Sequence, residues 1–218
     1  MKKWRIYSIW LIFILLSVLV VSWMIQIKNE TMPPFDLWSR PYVDTVADTT
    51  IYTIFRWITE FGSFHVVFPL TIVVVILFWI TFRDYLPAFI FGLGVLSAHL
   101  TNSLLKDFIA RERPSVSALL NAEGYSYPSG HSMVTIVCYG LIAYLISTKL
   151  SSPKKARLVQ LFFGTLVLLI GFSRYILNVH YLTDIVSGFL FGGIILIIFI
   201  KIHKKIVQLR IEKNTIKS

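Results

Sequence analysis

Tyr127-Pro128-Ser129-Gly130-His131 runs without a break into Ser132-Met133-Val134-Thr135-Ile136-Val137-Cys138-Tyr139-Gly140-Leu141-Ile142-Ala143-Tyr144-Leu145-Ile146-Ser147-Thr148. The second part carries no charge and meets the roughly 17–25 residues that a membrane-crossing helix needs. The first part is a Pro-Ser-Gly turn at the start of that helix. Unpaired backbone N–H groups gather there and make a seat for a phosphate, and a histidine on the first turn reaches whatever is bound. Ser and Gly open many helices for capping alone, so the pentapeptide takes its meaning from the chain around it.

Five further apolar runs of that kind lie at Ile6–Ile27, Phe64–Phe82, Leu86–Leu105, Leu158–Ile176 and Leu182–Ile202. The 218 residues are 56% hydrophobic and only 15% charged, with mean hydropathy +0.73. A soluble domain carries roughly 25% charged residues. The expected fold is all-α: one membrane-embedded domain over residues 1–218, a bundle of six transmembrane helices. The first run follows Met1-Lys2-Lys3-Trp4-Arg5 but is too long for a signal h-region and lacks an A-x-A-like cleavage site, so it reads as an uncleaved span. Cys138 is the single cysteine, placed inside an apolar run and expected to pack as a small hydrophobe.

The net charge of +10 raises nucleic acid as a partner, and its distribution answers otherwise. With the N-terminus in the cytoplasm, the inner segments 1–5, 83–85, 149–157 and 201–218 hold 14 Lys+Arg and 2 acids. The outer segments hold 7 Lys+Arg and 9 acids. That asymmetry follows the positive-inside rule, so both termini are expected in the cytoplasm of a cell membrane. No nucleic acid and no obligate protein partner are expected; membrane lipids are.

Between the first two spans, residues 28–63 form one sizeable outer loop that opens with Pro33, Pro34 and Pro41. Ala47, Ile51, Ile54, Phe55 and Ile58 then share one face at helical spacing, with Asp44, Asp48, Tyr52, Arg56 and Thr59 on the other. A short amphipathic helix at the outer interface is expected there, acting as a lid packed on the bundle or as a wall guiding lipid headgroups. Gly92, Gly94 and Ala98, and Gly188, Gly192 and Gly193, are small-residue faces for close helix approach.

Three clusters put costly polar groups at span ends: Lys106 with Arg113-Pro114, Pro128-Ser129-Gly130-His131, and Ser173-Arg174 with His180 and Asp184. With six spans and an inner N-terminus, all three fall on the outer face, where they are expected to converge in one pocket. Such a pocket fits phosphoryl transfer. Lys106, Arg113 and Arg174 neutralise a phosphate dianion, Arg as a planar fork and Lys as a point charge. Ser129 and the Gly130 N–H add neutral donors. The i, i+4 spacing of His180 and Asp184 suggests one helical face, with the carboxylate fixing the tautomer so that the other ring nitrogen attacks phosphorus. His131 protonates the leaving oxygen and then activates water.

Lys-x6-Arg-Pro, Pro-Ser-Gly-His and Ser-Arg-x5-His-x3-Asp together resemble the three-part signature of the type 2 phosphatidic acid phosphatase superfamily, the lipid phosphate phosphatases. All three parts occur in order with their internal spacing intact, from Lys106 to Asp184. The resemblance implies metal-independent hydrolysis of a lipid phosphomonoester through a phosphohistidine at His180, without cofactor. It also implies Asp184 as orienting group, His131 as acid then base, and Lys106, Arg113, Ser129, Gly130 and Arg174 on the phosphate. The compact six-span form with short inner ends resembles the bacterial phosphatidylglycerophosphatase B type. Phosphatidylglycerophosphate therefore leads as substrate, ahead of undecaprenyl diphosphate and phosphatidic acid.

Competing readings follow from the same residues. Arg111 and Arg56 read as headgroup-snorkelling arginines, His99 and His65 as packed histidines, and His203 as inert in the inner tail. No His-Glu-x-x-His helix or carboxylate cluster suggests a metal, and three cations oppose one. A transporter places ionisable groups near the midplane, whereas here they cluster at span ends. The vanadium haloperoxidases resemble the same signature but need no six-span membrane body. Vanadate is expected to inhibit this protein as a mimic of the transition state.

Overall fold

The computed structural model describes residues 2–45, 49–114 and 124–215. Its elements are helices: α1 (Lys2–Lys28), α2 (Pro34–Ser39), α3 (Pro41–Asp44), α4 (Thr50–Glu60), α5 (Phe64–Phe82), α6 (Tyr85–Ile109), α7 (Gly130–Lys149), α8 (Pro153–Ile176) and α9 (Leu182–Thr215). Six helical stretches are long and apolar enough to cross a membrane, with α4 and α5 counted as one stretch across their short turn. Apolar side chains of α1 (Leu11, Ile12, Leu15, Val18), α5 (Phe68, Ile72, Val73) and α8 (Leu158, Leu161, Phe162) stand exposed. On a chain with this composition, such a belt is the lipid-facing surface of a multi-pass membrane protein.

The core is built on α7. Met133, Val137, Cys138, Leu141 and Leu145 are fully buried, and α6, α8 and α9 pack around them. Cys138 is thus a packed side chain, as its position in the run suggests. Local chemistry sets the helix ends. Ser129 caps α7 by accepting the Ser132 N–H, and Asp84 caps α6 by accepting the Leu86 N–H at 3.0 Å. Ala110 closes α6 in the left-handed conformation, φ 53°.

The structure adds detail to the loop and tail beyond the sequence expectation. Pro34 and Pro41 do not break structure but sit in the first turns of α2 and α3, where a missing N–H costs nothing. In α4, Ile51 and Ile54 of the apolar face are exposed while Thr59 of the polar face is buried. Phe55 and Ile58 of the same apolar face are half-buried against the bundle, and Arg56 of the polar face is exposed, so α4 is the amphipathic helix expected, with part of its stripe packed and part open to lipid. Ala47 and Asp48 lie outside the described residues. The expected inner tail after Ile202 continues as α9 to Thr215, and His203 within it is buried against the Tyr144 hydroxyl at 2.8 Å.

The loop is fastened to the bundle. Trp23, Phe35, Trp38 and Tyr42 form a ladder of rings 5.6–5.8 Å apart that runs from the end of α1 along α2 to α3. The Tyr175 hydroxyl of α8 donates to the Ser39 carbonyl. Asn102 of α6 donates through Nδ2 to the Pro128 carbonyl at 3.1 Å, pinning the Pro-Ser-Gly turn. The Ser129 N–H donates to the Asp184 carbonyl at 3.0 Å, tying the starts of α7 and α9. Gly188 makes this approach possible, since a Cβ there would lie 2.7 Å from the Ser129 carbonyl oxygen.

Candidate active site

Four helix ends meet at one end of the bundle: the last turns of α6 and α8 and the first turns of α7 and α9. Lys106 stands on the last turn of α6. Beyond Ala110 the chain leaves the helix, and Ser126 fastens it, donating its N–H to the Arg111 carbonyl at 2.8 Å and its hydroxyl to the Glu112 carbonyl at 3.0 Å. Arg113 is thereby held across the site. Arg174 ends α8, almost fully buried, with one guanidinium nitrogen on the Thr59 hydroxyl at 2.9 Å. The α4 segment therefore closes one wall. Arg174 Nε is buried and has no hydrogen-bond partner among the described residues. An orphaned cationic donor beside two more cations is satisfied by an anion.

His180 is not on a helix. It sits in the bend between α8 and α9, with its N–H and that of Val179 both directed to the Arg174 carbonyl at 3.2 Å. Asn178 in the left-handed region, φ 54°, makes this turn. The His180–Asp184 pair is therefore closed by a backbone bend meeting the first turn of α9, not by helical register. Nδ1 lies 3.3 Å from Asp184 Oδ2, and Nε2 lies 3.1 Å from an Arg113 guanidinium nitrogen. A carboxylate only accepts and a guanidinium only donates. These two partners select the neutral tautomer with the proton on Nδ1 and a lone pair on Nε2. Burial, then Arg113, Arg174 and Lys106, hold the imidazole well below the ordinary histidine value of 6.5.

His131 stands on the first turn of α7, half-buried, within electrostatic range of Arg174, His180, Lys106 and Arg113. Gly62 in the α4–α5 turn presses on its ring: a Cβ there would lie 2.7 Å from His131 Cδ2. The ring nitrogens of His131 have no hydrogen-bond partner among the described residues, which leaves them for a substrate oxygen. Ser129 is fully buried; its N–H is used on Asp184 and its Oγ caps α7. The Gly130 N–H opens the helix with no acceptor inside it.

Eight residues expected from the sequence thus gather at one place: Lys106, Arg113, Ser129, Gly130, His131, Arg174, His180 and Asp184. Arg111 is a correction. Rather than reaching to headgroups it is buried, and it donates to Asp184 Oδ1 at 2.6 Å. Asp184 and Asp36 outweigh the cost of burial and hold its guanidinium above the ordinary arginine value. Its snorkelling reading rested on position alone; the fold supplies buried carboxylates that a run of apolar residues does not announce. Asp36, Thr59 and Asn102 also join the site's framework with no motif to mark them.

Comparison with known proteins bears on this geometry. A family model described as the PAP2 superfamily matches residues 87–208. The chain is 27% identical over 208 residues to phosphatidylglycerophosphatase B of Bacillus subtilis, covering 93% of this chain and 97% of that one. It is 28% identical over 166 residues to dolichyldiphosphatase of Saccharomyces cerevisiae, covering 71% and 68%. The crystal structure of a transmembrane PAP2-type phosphatidylglycerolphosphate phosphatase from Bacillus subtilis superposes with a TM-score of 0.76 at 24% identity, over 87% of this chain and 96% of that chain; that likeness is one of fold.

Proposed function

The chain belongs to the PAP2 superfamily, and from that premise we propose that it is a membrane lipid phosphatase working through a phosphohistidine. The observation that carries this reading is His180, held neutral between Asp184 on Nδ1 and Arg113 on Nε2. Arg113 moves its donor from Nε2 to a phosphate oxygen as the substrate binds, joining Lys106 and Arg174. Nε2 then attacks phosphorus in line, the N–P bond forms, and the P–O bond to the lipid alcohol breaks. His131 gives its proton to the departing oxygen. It next takes a proton from water, which attacks the phosphohistidine, releases inorganic phosphate and restores neutral His180. Asp184 stabilises the positive charge that His180 carries in between. The three cations supply the charge neutralisation that a divalent ion supplies elsewhere, so the reaction is read as metal-independent.

The substrate read for this site is phosphatidylglycerophosphate, on the strength of the 27% identical relative that spans nearly the whole chain. A polyprenyl diphosphate is the second reading, supported by the likeness to dolichyldiphosphatase. The active site is placed on the outer face, with both termini in the cytoplasm, on the strength of the basic residues in the inner segments.

Phosphate release by purified protein tests both parts. Phosphatidylglycerophosphate, phosphatidic acid and undecaprenyl diphosphate are compared by kcat/KM, with His180→Ala as control. The first lipid should lead, and His180→Ala should be silent on all three. Near wild-type turnover by His180→Ala would overturn the mechanism, and a lead for the diphosphate would overturn the substrate alone.

A further inference from the structure

Behind the nucleophile, Asp184 is joined to a polar cluster of Asp36, Arg111 and Thr183, three residues to which the phosphate chemistry gives no part. Asp36 of α2 is 1% exposed, Arg111 9%, and Thr183 and Asp184 of α9 are both 0%. One Arg111 nitrogen donates to Asp184 Oδ1 at 2.6 Å and to the Thr183 hydroxyl at 2.9 Å; the other donates to Asp36 Oδ2 at 2.7 Å. Asp36 in turn accepts the Thr183 N–H on Oδ1 at 3.0 Å and the Thr183 hydroxyl on Oδ2 at 2.6 Å. The guanidinium lies over the Tyr181 ring, 3.7 Å from its centroid.

Desolvating three ions is costly enough that apolar residues of similar volume would hold the helices together as well or better. The arrangement does something packing cannot. Arg111 occupies Asp184 Oδ1, and the Tyr181 N–H, at 2.9 Å, shares Oδ2 with His180 Nδ1. The carboxylate is therefore fixed in rotation, with Oδ2 turned to the imidazole. Charge balance points the same way. Two carboxylates and one guanidinium leave one net negative charge beside His180, where positive charge develops as the N–P bond forms. A lone Arg111–Asp184 pair would leave none. A buried carboxyl with no cation favours its neutral form, which accepts poorly from an imidazole N–H.

We propose that Arg111 and Asp36 are positioning residues of the reaction: Arg111 sets the orientation of Asp184 toward His180, and Asp36 holds Arg111, so that the α2 segment of the first loop is part of the catalytic apparatus. This rests on the reading of His180 as nucleophile and Asp184 as its orienting group.

The experiment measures kcat and KM for phosphate release by Arg111→Gln, Arg111→Lys, Asp36→Asn, Asp184→Asn, and the doubles of Arg111→Gln and Asp36→Asn with Asp184→Asn. Arg111→Gln and Asp36→Asn should each lower kcat roughly ten- to a hundredfold, with KM nearly unchanged. Arg111→Lys, which keeps the charge without the fork, should recover part of the loss. In the Asp184→Asn background the same changes should cost less than about threefold, because a group acting through Asp184 has nothing left to act on. Losses that multiply in full in the doubles, or a wild-type kcat in Arg111→Gln, overturn the proposal while leaving the phosphohistidine reading intact. If Asp184→Asn itself turns over at the wild-type rate, it is the His180–Asp184 reading that fails. Should Arg111→Gln not accumulate as folded protein, the near-isosteric Asp36→Asn decides by the same cycle.

Discussion

On the proposed mechanism His180 is the nucleophile, and its protonation is set by its neighbours. Burial and three nearby cations keep Nε2 unprotonated far below the ordinary histidine value of 6.5. On that mechanism the neutral form is the active one, so activity should be retained as pH falls through 6.5 and lost only well below it. The acid limb of a kcat/KM profile should therefore lie well under 6.5; a limb at 6.5 or above would show that the cations do not act on this ring. By linkage, stability drops on the acid side of 6.5, where the unfolded chain takes up a proton that the folded site refuses. His131 makes a different demand. Its replacement by Ala should abolish turnover of a lipid alkoxide, yet spare much of the first step when the leaving group is a good one such as p-nitrophenolate, seen as a burst of that product. Equal losses on both substrates would remove His131 from the acid role. At this scale the motif residues were legible because their spacing is local. Arg111 and Asp36 were not, because no periodicity relates position 36 to position 184.

Among the elements, the spans were legible from hydropathy, since a lipid-facing helix must be apolar along its whole length. Their ends were less so, because caps and packing decide them, as at Ser129 and Ala110. In the loop, the stripe of α4 was legible, whereas α2 and α3, short helices that begin at prolines, were not. Two substitutions test how the elements hold the site. Ala110 pays for its left-handed φ of 53° at the end of α6. Ala110→Gly should stabilise the protein by up to about 1 kcal/mol, read as a higher Tm in detergent, with kcat unaltered. Gly62→Ala should do the reverse. The new methyl meets Ile170 Cγ2 at 2.5 Å and His131 Cδ2 at 2.7 Å, so kcat should fall as His131 is displaced, with KM little changed. Wild-type kcat in Gly62→Ala would mean that the α4–α5 turn does not set the histidine.

For the whole molecule, hydropathy marks the six spans, and counting them put the three distant motifs at one end. Which side of the membrane that end faces rests on the basic residues of the other end. Tyr125→Cys puts an exposed thiol beside the site, and native Cys138 is buried and silent. A membrane-impermeant thiol reagent should label this variant in intact cells; labelling only after rupture would turn the protein over. The long α9 adds a dimension of another kind. From Asp184 to Arg210, which bridges to Asp84 at 2.6 Å, the unbroken helix rises about 39 Å. That exceeds the roughly 30 Å of hydrocarbon and falls just short of the ~40–45 Å of a bilayer with its headgroups. The helix is thus long enough for its two charged ends to reach opposite headgroup layers at once. On the proposed function the phosphate is then met at one fixed level of the membrane, and lipids that differ only in their tails should be turned over at one common rate, as phosphate release from a series of acyl lengths would show.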